Sequence, residues 1–507
     1  MAVTFPRGGD GKRSTTATGR AIFADSVRDV DPPLSDRIEH TKDWRKGYIS
    51  PMREIVVSAS RTPTSAIAIS RAGLDSVHRR FKFTRNGEDI PLSEAMDSPL
   101  PTGAIESVTV QGRAAREEEL SIPYQGRRIF GDDLRKQIDQ WVDTGIAEPS
   151  FGEALHLVID NPDWLDLRDT HIAILGAGAE MAPTRSLLRW GAQIHALDLP
   201  RPEIWQHLIG ITRATPGSIR IPISPSESGM TPFTTGGNIH SEDDITVANV
   251  AGIDLLNQPA EIAQWIDQID GRFVLGNYTY ADGALHALLS VSADAIFVKL
   301  AKTRKDITLA FLATPTDVFM VPMECVEASR ARWDNRGVAG ALQSPLRLFD
   351  QFEPNYPDTY RTDSGVELGL SDSLVLQQGP NYLLAKRIQR WRALVARHDG
   401  FAVSLNLAPA TRTQSVVKNR ALAAAYAGAG RFGVEVFEPA TSTALMAAML
   451  VHDLRNPLAA ANPSTPLNNP MDLFVVGANH GGLWRSAYAP RSVLGIAAVL
   501  GMFESRA

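Results

Sequence analysis

The 507-residue chain predicts an α/β fold, a doubly wound parallel sheet with an amino-terminal α+β accessory domain. Two observations predict it. From residue 170 onward, short apolar runs alternate with helical stretches, the pattern of parallel strands joined by crossover helices. Within that pattern, Thr170–Leu199 reads strand, glycine turn, helix, strand, the order of parts in a dinucleotide-binding, Rossmann-like βαβ unit.

Taken in order, residues 1–48 are rich in Arg, Asp, Ser and Thr and poor in aromatics. They read as a flexible arm. An accessory domain is expected over 49–165. Its strand candidates are Ile55–Ala59, Phe81–Phe83 and Val108–Val110, with a turn at Asn86-Gly87. Its helices carry Leu134, Ile138 and Trp141 on one face, then Ala154, Leu155, Val158 and Ile159 on another. The catalytic domain is expected over 166–507. Ile172–Leu175 is an apolar run of the kind buried on both faces of a parallel sheet. Gly176-Ala177-Gly178 stops it, a helix bearing Leu187 and Leu188 follows, and Ile194–Leu197 leads to Asp198. Further strand ends are read at Ile253-Asp254, Gly276-Asn277, Leu312 and Leu407, and a last strand at Leu473–Gly477. Two insertions rich in loop-forming residues are expected near 214–245 and 331–378.

Composition narrows the class. Apolar residues make up 44% and charged residues 21%, as in soluble globular proteins. A formal charge of -6 gives no basic footprint for nucleic acid. The single cysteine, Cys325, excludes an internal disulfide and a cysteine-built metal site. No apolar run reaches the length of a membrane span, and the polar first residues have no apolar signal core. The expectation is a cytoplasmic enzyme with a small-molecule substrate, no membrane or nucleic-acid partner, and a homo-oligomeric state, a homodimer closed by late apolar helices such as Ala444–Val451.

The glycine turn lets the backbone approach a pyrophosphate, with N–H groups from Gly176, Gly178, Ala179, Glu180 and Met181 and from the following helix facing the anion. Asp198 lies 22 residues beyond Gly176, where a carboxylate accepts hydrogen bonds from ribose hydroxyls. That carboxylate favours NAD, since it repels a 2′-phosphate; Arg201, three residues on, leaves NADP possible. The alternative role of Asp198 is a cap on the next helix. Tyr382 and Lys386 share one helix face at i and i+4. A nearby ammonium lowers a phenol's pKa, which suits tyrosine to proton transfer beside a hydride step. Asp282 and His286 also stand at i and i+4, without a third ligand, so no metal site is read there. His480 is read as structural more readily than as catalytic.

In this order, Gly176-Ala177-Gly178, Asp198, Asp254, Gly276-Asn277, Tyr382-x-x-x-Lys386 and Pro409-Ala410-Thr411-Arg412-Thr413 resemble the short-chain dehydrogenase/reductase superfamily over about 170–480. The resemblance implies Asp254 near the adenine, Asn277 near the adenosine ribose, and Pro409, Thr411 and Thr413 beside the nicotinamide. It also implies Tyr382 as acid/base and Lys386 as its tuner and a ribose ligand. The chain departs from the family in three ways. Met181 and Ala182 stand where a further glycine is usual, and the interval to Tyr382 is long. The family's serine position falls on Gly369, leaving Ser371, Ser373, Thr314 or Thr316 to polarise the substrate. The expected function is an NAD(P)-dependent oxidoreductase that interconverts an alcohol and a carbonyl. The alternatives are an epimerase, dehydratase or lyase that retains NAD, and a non-catalytic nucleotide-binding sensor or scaffold.

Overall fold

The computed structural model describes residues 1–100, 105–223 and 244–504. Its centre is a seven-stranded, mostly parallel sheet. The strands, here β1–β7, are Glu106–Gln111, His171–Leu175, Gln193–Leu197, Ser218–Ile223, Phe273–Asn277, Ile307–Ala313 and Ala402–Leu407. Across the sheet they run β7-β6-β5-β2-β3-β4-β1. All neighbours are parallel except β1, which pairs antiparallel with β4 at the edge.

Alternation along each strand divides the core in two, because successive side chains point to opposite faces. Ala173, Leu175, Phe273, Leu275, Leu309 and Phe311 join one core; Ile172, Ile174, Val274, Ile194, Ala196 and Ala310 join the other. The first core is covered by helices Thr15–Val27, Pro63–Arg80, Pro259–Asp267, Ala284–Leu300 and Gly379–His398. The second is covered by Gly131–Asp143, Pro149–Asp160, Thr184–Arg189, Pro202–Arg213 and Pro439–Arg455. Helices therefore lie on both faces.

The first hundred residues depart from the sequence reading. Residues 1–48 are folded, not a flexible arm. Ala2–Thr4 pairs antiparallel with Lys82–Arg85, and Ile22, Phe23, Leu34, Ile38, Trp44 and Tyr48 are fully or almost fully buried. Their apolar content is modest, but small residues let helices close in; Gly19 lies against Leu384. The Pro63–Arg80 helix docks on Gly379–His398 so tightly that a Cβ at Gly73 would stand 2.6 Å from the Trp391 ring. Ile55–Ala59 is helical, within Ile49–Ser60. Met52, Ile55, Val56 and Ala59 follow helical spacing and are buried. The span 49–165 is not a separate unit. Its first helices join one face of the sheet, its last two the other, and β1 is a strand of the sheet itself.

Later differences are smaller. The 214–245 segment contributes β4; the rest of it, 224–243, lies outside the described residues. Val250–Asp254 is no strand: a helix ends at Val250 and only Ala251 bridges, to Ile223. Residues 331–378 carry Thr359–Arg361 and Glu367–Asp372, which join Val318–Pro322 in a small antiparallel sheet. Leu473–Gly477 is no strand either. Asn469 and Asp472 cap each other around a short helix, Pro470–Phe474.

Candidate active site

Parallel pairing brings the carboxyl ends of β2, β3, β5, β6 and β7 to one edge. The order of strands reverses between β2 and β5, where ligands bind in open α/β sheets. Gly176 turns the chain there at φ +80°. A Cβ on it would lie 3.1 Å from the Thr279 backbone, so a side chain would push the β2 and β5 loops apart. The N–H groups of Gly176 and Ala177 donate to the Leu197 carbonyl. Ala179 donates to Gly176 and Ala182 to Ala179, making two successive turns. Among the described residues, the N–H groups of Glu180 and Met181 have no hydrogen-bond partner. The helix begins only at Thr184, after Pro183, and Thr184 Oγ1 donates to the Ala177 carbonyl at 2.7 Å.

Asp198 ties the end of β3 to this turn. Its Oδ2 accepts the Gly178 N–H at 2.8 Å, and its Oδ1 accepts the Leu199 N–H at 2.8 Å. Burial pushes its carboxyl above the ordinary value, and these two N–H groups act against that. Each oxygen keeps a second lone pair for a ligand hydroxyl. The structure also brings Asp254 close: the Ile253 N–H donates to the Asp198 carbonyl at 2.9 Å. Asp254 itself works as a cap, accepting from Leu256, Asn257 and the Asn257 side chain. Asn277 is buried, and its Oδ1 accepts from the Thr279 N–H and hydroxyl. It shapes the loop against Gly176.

Tyr382 and Lys386 lie in the first turns of the Gly379–His398 helix, at the end of β6. Their relation differs from the sequence reading. Burial pushes the Tyr382 phenol above its ordinary value, with the Thr314 side chain beside it acting the other way. The Lys386 charge is not among the leading causes of that shift. The Lys386 ammonium donates to the Leu312 carbonyl at 3.2 Å and Gln389 Oε1 at 3.3 Å. Burial brings its pKa down to about 8, against the pull of Asp317. Thr314 and Thr316 share a hydroxyl contact of 2.9 Å, and Gln378 holds Thr316 from the helix.

One group beside this pair is not evident from sequence. His286 is fully buried, and neither ring nitrogen has a hydrogen-bond partner. Its ring lies edge-on to Tyr382 at 5.3 Å and to Tyr280 at 5.4 Å. Burial first, and the Lys386 charge second, push it down to about 3, so it is neutral at physiological pH. The signal available was a histidine in the first turn of a largely apolar helix that follows β5. Among the described residues, no group of three His, Cys, Asp or Glu side chains is placed to hold a metal, and no helix is long and apolar enough to cross a membrane.

The remaining candidates divide. Gly369 sits in the small sheet, where a Cβ would meet Val326 at 2.3 Å, so a serine has no room there. Ser373 is buried with its hydroxyl unpartnered, and its N–H donates to the Asp317 carbonyl. Thr411 is buried and committed to Pro409 and Ser442. Thr413 pairs with Ser415 at the start of Gln414–Lys418. Glu180 Oε2 accepts the Gln414 N–H at 2.9 Å, joining the glycine turn to the segment after β7.

His480 is part of a buried ionic cluster. Its Nδ1 accepts from the Gly482 and Trp484 N–H groups, which makes the ring neutral with its Nε2 donating to Glu148 at 2.8 Å. Arg485 holds both Glu148 oxygens, and the Cys325 thiol also donates to Glu148. Burial opposes the Glu148 charge, but His480 and Arg485 hold the carboxyl at about 2, below its ordinary 4.5. The depressed value contributes stability above pH 4.5 that is lost as pH falls toward 2. The expected size is on the order of 3 kcal/mol. Urea midpoints of the wild type and Glu148→Gln should therefore converge between pH 5 and pH 2. A constant gap across that range would refute the assignment.

No protein-family model matches the chain, and no curated protein matches it.

Proposed function

We propose that this chain is an NAD-binding reductase that converts a carbonyl of a small molecule to an alcohol at the carboxyl edge of the sheet. One observation carries the reading. With β2 counted as the first parallel strand, the order from β4 to β7 is 3-2-1-4-5-6, that of doubly wound dinucleotide folds, and an acid at the tip of the second strand closes on the glycine turn. The resemblance to short-chain dehydrogenases/reductases points the same way.

The residues fit a dinucleotide. Asp198 has lone pairs for ribose hydroxyls, and the Glu180 and Met181 N–H groups remain for a diphosphate. Bound nicotinamide supplies hydride chemistry. The chain's part is to hold and deliver the proton. Tyr382, kept as a neutral phenol by burial, is a hydrogen-bond and proton donor to a carbonyl oxygen, which suits reduction. Lys386, poised near pH 8, stands one helical turn away and keeps one N–H for a ribose hydroxyl. Thr314 orients the phenol.

A second reading, nucleotide binding without turnover, is favoured by Glu180. Its carboxylate bridges to Gln414 across the mouth of the site, where an anion would otherwise be welcomed. Titration with NAD, NADH, NADP and NADPH tests both. NAD or NADH should bind, and Asp198→Ala should weaken it on the order of 10–100-fold, as expected for lost charged hydrogen bonds. If none of the four binds to folded protein, both readings fall.

A further inference from the structure

A second concavity lies apart from the strand ends described above. It is a cleft of about 550 Å³ walled by Thr144 and Ile146, Arg332 at the end of the Met323–Asp334 helix, Arg336 in the turn after it, the 430–435 loop, and Tyr488. Arg332 is fixed in place: its two terminal nitrogens donate to the Arg485 carbonyl at 2.7 Å and the Thr144 carbonyl at 2.6 Å. Gly145, at φ +69°, makes this possible, since a Cβ there would come within 2.8 Å of the Arg332 guanidinium. Arg336 is held differently, by the Trp333 carbonyl and face-on to the Trp333 ring at 3.2 Å.

Among the described residues, neither the Arg332 nor the Arg336 guanidinium has an ion-pair partner. Arg485 beside them is neutralised by Glu148, and the one carboxylate in the lining, Glu435, accepts from the Tyr124 hydroxyl at 2.6 Å. Two half-buried cations without a carboxylate are costly unless something anionic joins them. Both are held by neutral groups, so little side-chain freedom is lost when an oxyanion arrives. Thr144 and Arg431 also line the cleft, and its apolar part includes Ile146, Phe432, Val434 and Tyr488, with the Phe432 and Tyr488 rings meeting edge-on at 5.6 Å.

We infer that this cleft binds a small aromatic oxyanion, its carboxylate or phosphoryl group on Arg332 and Arg336 and its ring against Phe432 and Tyr488. Guanidinium forks match both oxyanions, and the aromatic wall selects against small inorganic ions. The inference is independent of the dinucleotide reading, because no residue of that site lines the cleft.

The test is calorimetric titration of the full chain with phenyl phosphate, benzoate and phenol. Either or both oxyanions should bind, the tighter one telling phosphoryl from carboxylate, and each at least tenfold more tightly than phenol. Arg336→Gln should weaken that binding at least tenfold. Arg332→Gln should do the same, though it also unties the 144 and 485 loops; Arg336, whose hydrogen bond goes to the nearby Trp333 carbonyl and ties down no distant loop, keeps the test sound if that variant misfolds. Phenol binding as tightly as the oxyanions, no binding of either oxyanion, or undiminished binding to folded Arg336→Gln would each overturn the inference.

Discussion

Asp317→Asn should be the most destabilising single polar substitution in this chain. Asp317 Oδ1 accepts from Arg387 at 2.5 Å and Oδ2 from Arg390 at 2.8 Å, with all three side chains almost fully buried. The Arg390 guanidinium lies between the Phe319 and Phe474 rings, at 4.5 Å and 4.3 Å. One carboxylate thus answers two buried cations. Breaking a buried pair by removing one partner costs about 3–5 kcal/mol, since a bare charge remains. Here two would remain. Asp97→Asn gives the contrast. Its pair with Lys302 is half-exposed, and such pairs contribute about 0–1 kcal/mol. Urea unfolding of the two variants measures the difference. Equal midpoints would show that the Asp317 cluster is not what holds this part of the core. Asp317 also bonds Ser373 through its carbonyl and follows Thr314–Thr316 directly, so its loss should disturb the edge that carries Tyr382.

The second large effect is expected from Tyr382→Phe. If the phenol is the proton donor, turnover in the carbonyl-to-alcohol direction should fall about 10²–10⁴-fold, with dinucleotide affinity unchanged. The pH profile supplies a check that a packing role would not pass. A group that must be protonated and titrates near the Lys386 value of about 8 gives activity that declines as pH rises through that value. Lys386→Met should flatten the decline. Unchanged turnover in Tyr382→Phe would show that the ring merely packs against His286 and that another group delivers the proton.

The sheet was legible where burial shows in composition. Ile172–Leu175 and Phe273–Asn277 are apolar runs closed by glycine or asparagine, and both are central strands. Ser218–Ile223 was not legible. Arg220 and Pro222 break its apolar run, and it is a strand because β3 and β1 flank it, the latter from over a hundred residues away. Val56-Val57 suggests a strand by β-branching, yet the helix wins because Met52, Ile55, Val56 and Ala59 bury one face together. Spacing singled out Asp198, Tyr382 and Lys386 as candidates, but not their electrostatics. Whether Lys386 tunes Tyr382 depends on where the ammonium points, and it points to Leu312 and Gln389. His286 acquires its meaning only from the rings packed on either side.

The docking of the Pro63–Arg80 helix on Gly379–His398 sets a timetable for biosynthesis. Roughly 300 residues separate the two helices. At about 5–20 residues per second, on the order of tens of seconds pass between their emergence from the ribosome. Throughout that interval Ile67, Ile69, Leu74 and Val77 have no Trp391 or Leu394 to bury them. The face of that helix turned toward Trp391 therefore waits uncovered until the last quarter of the chain arrives.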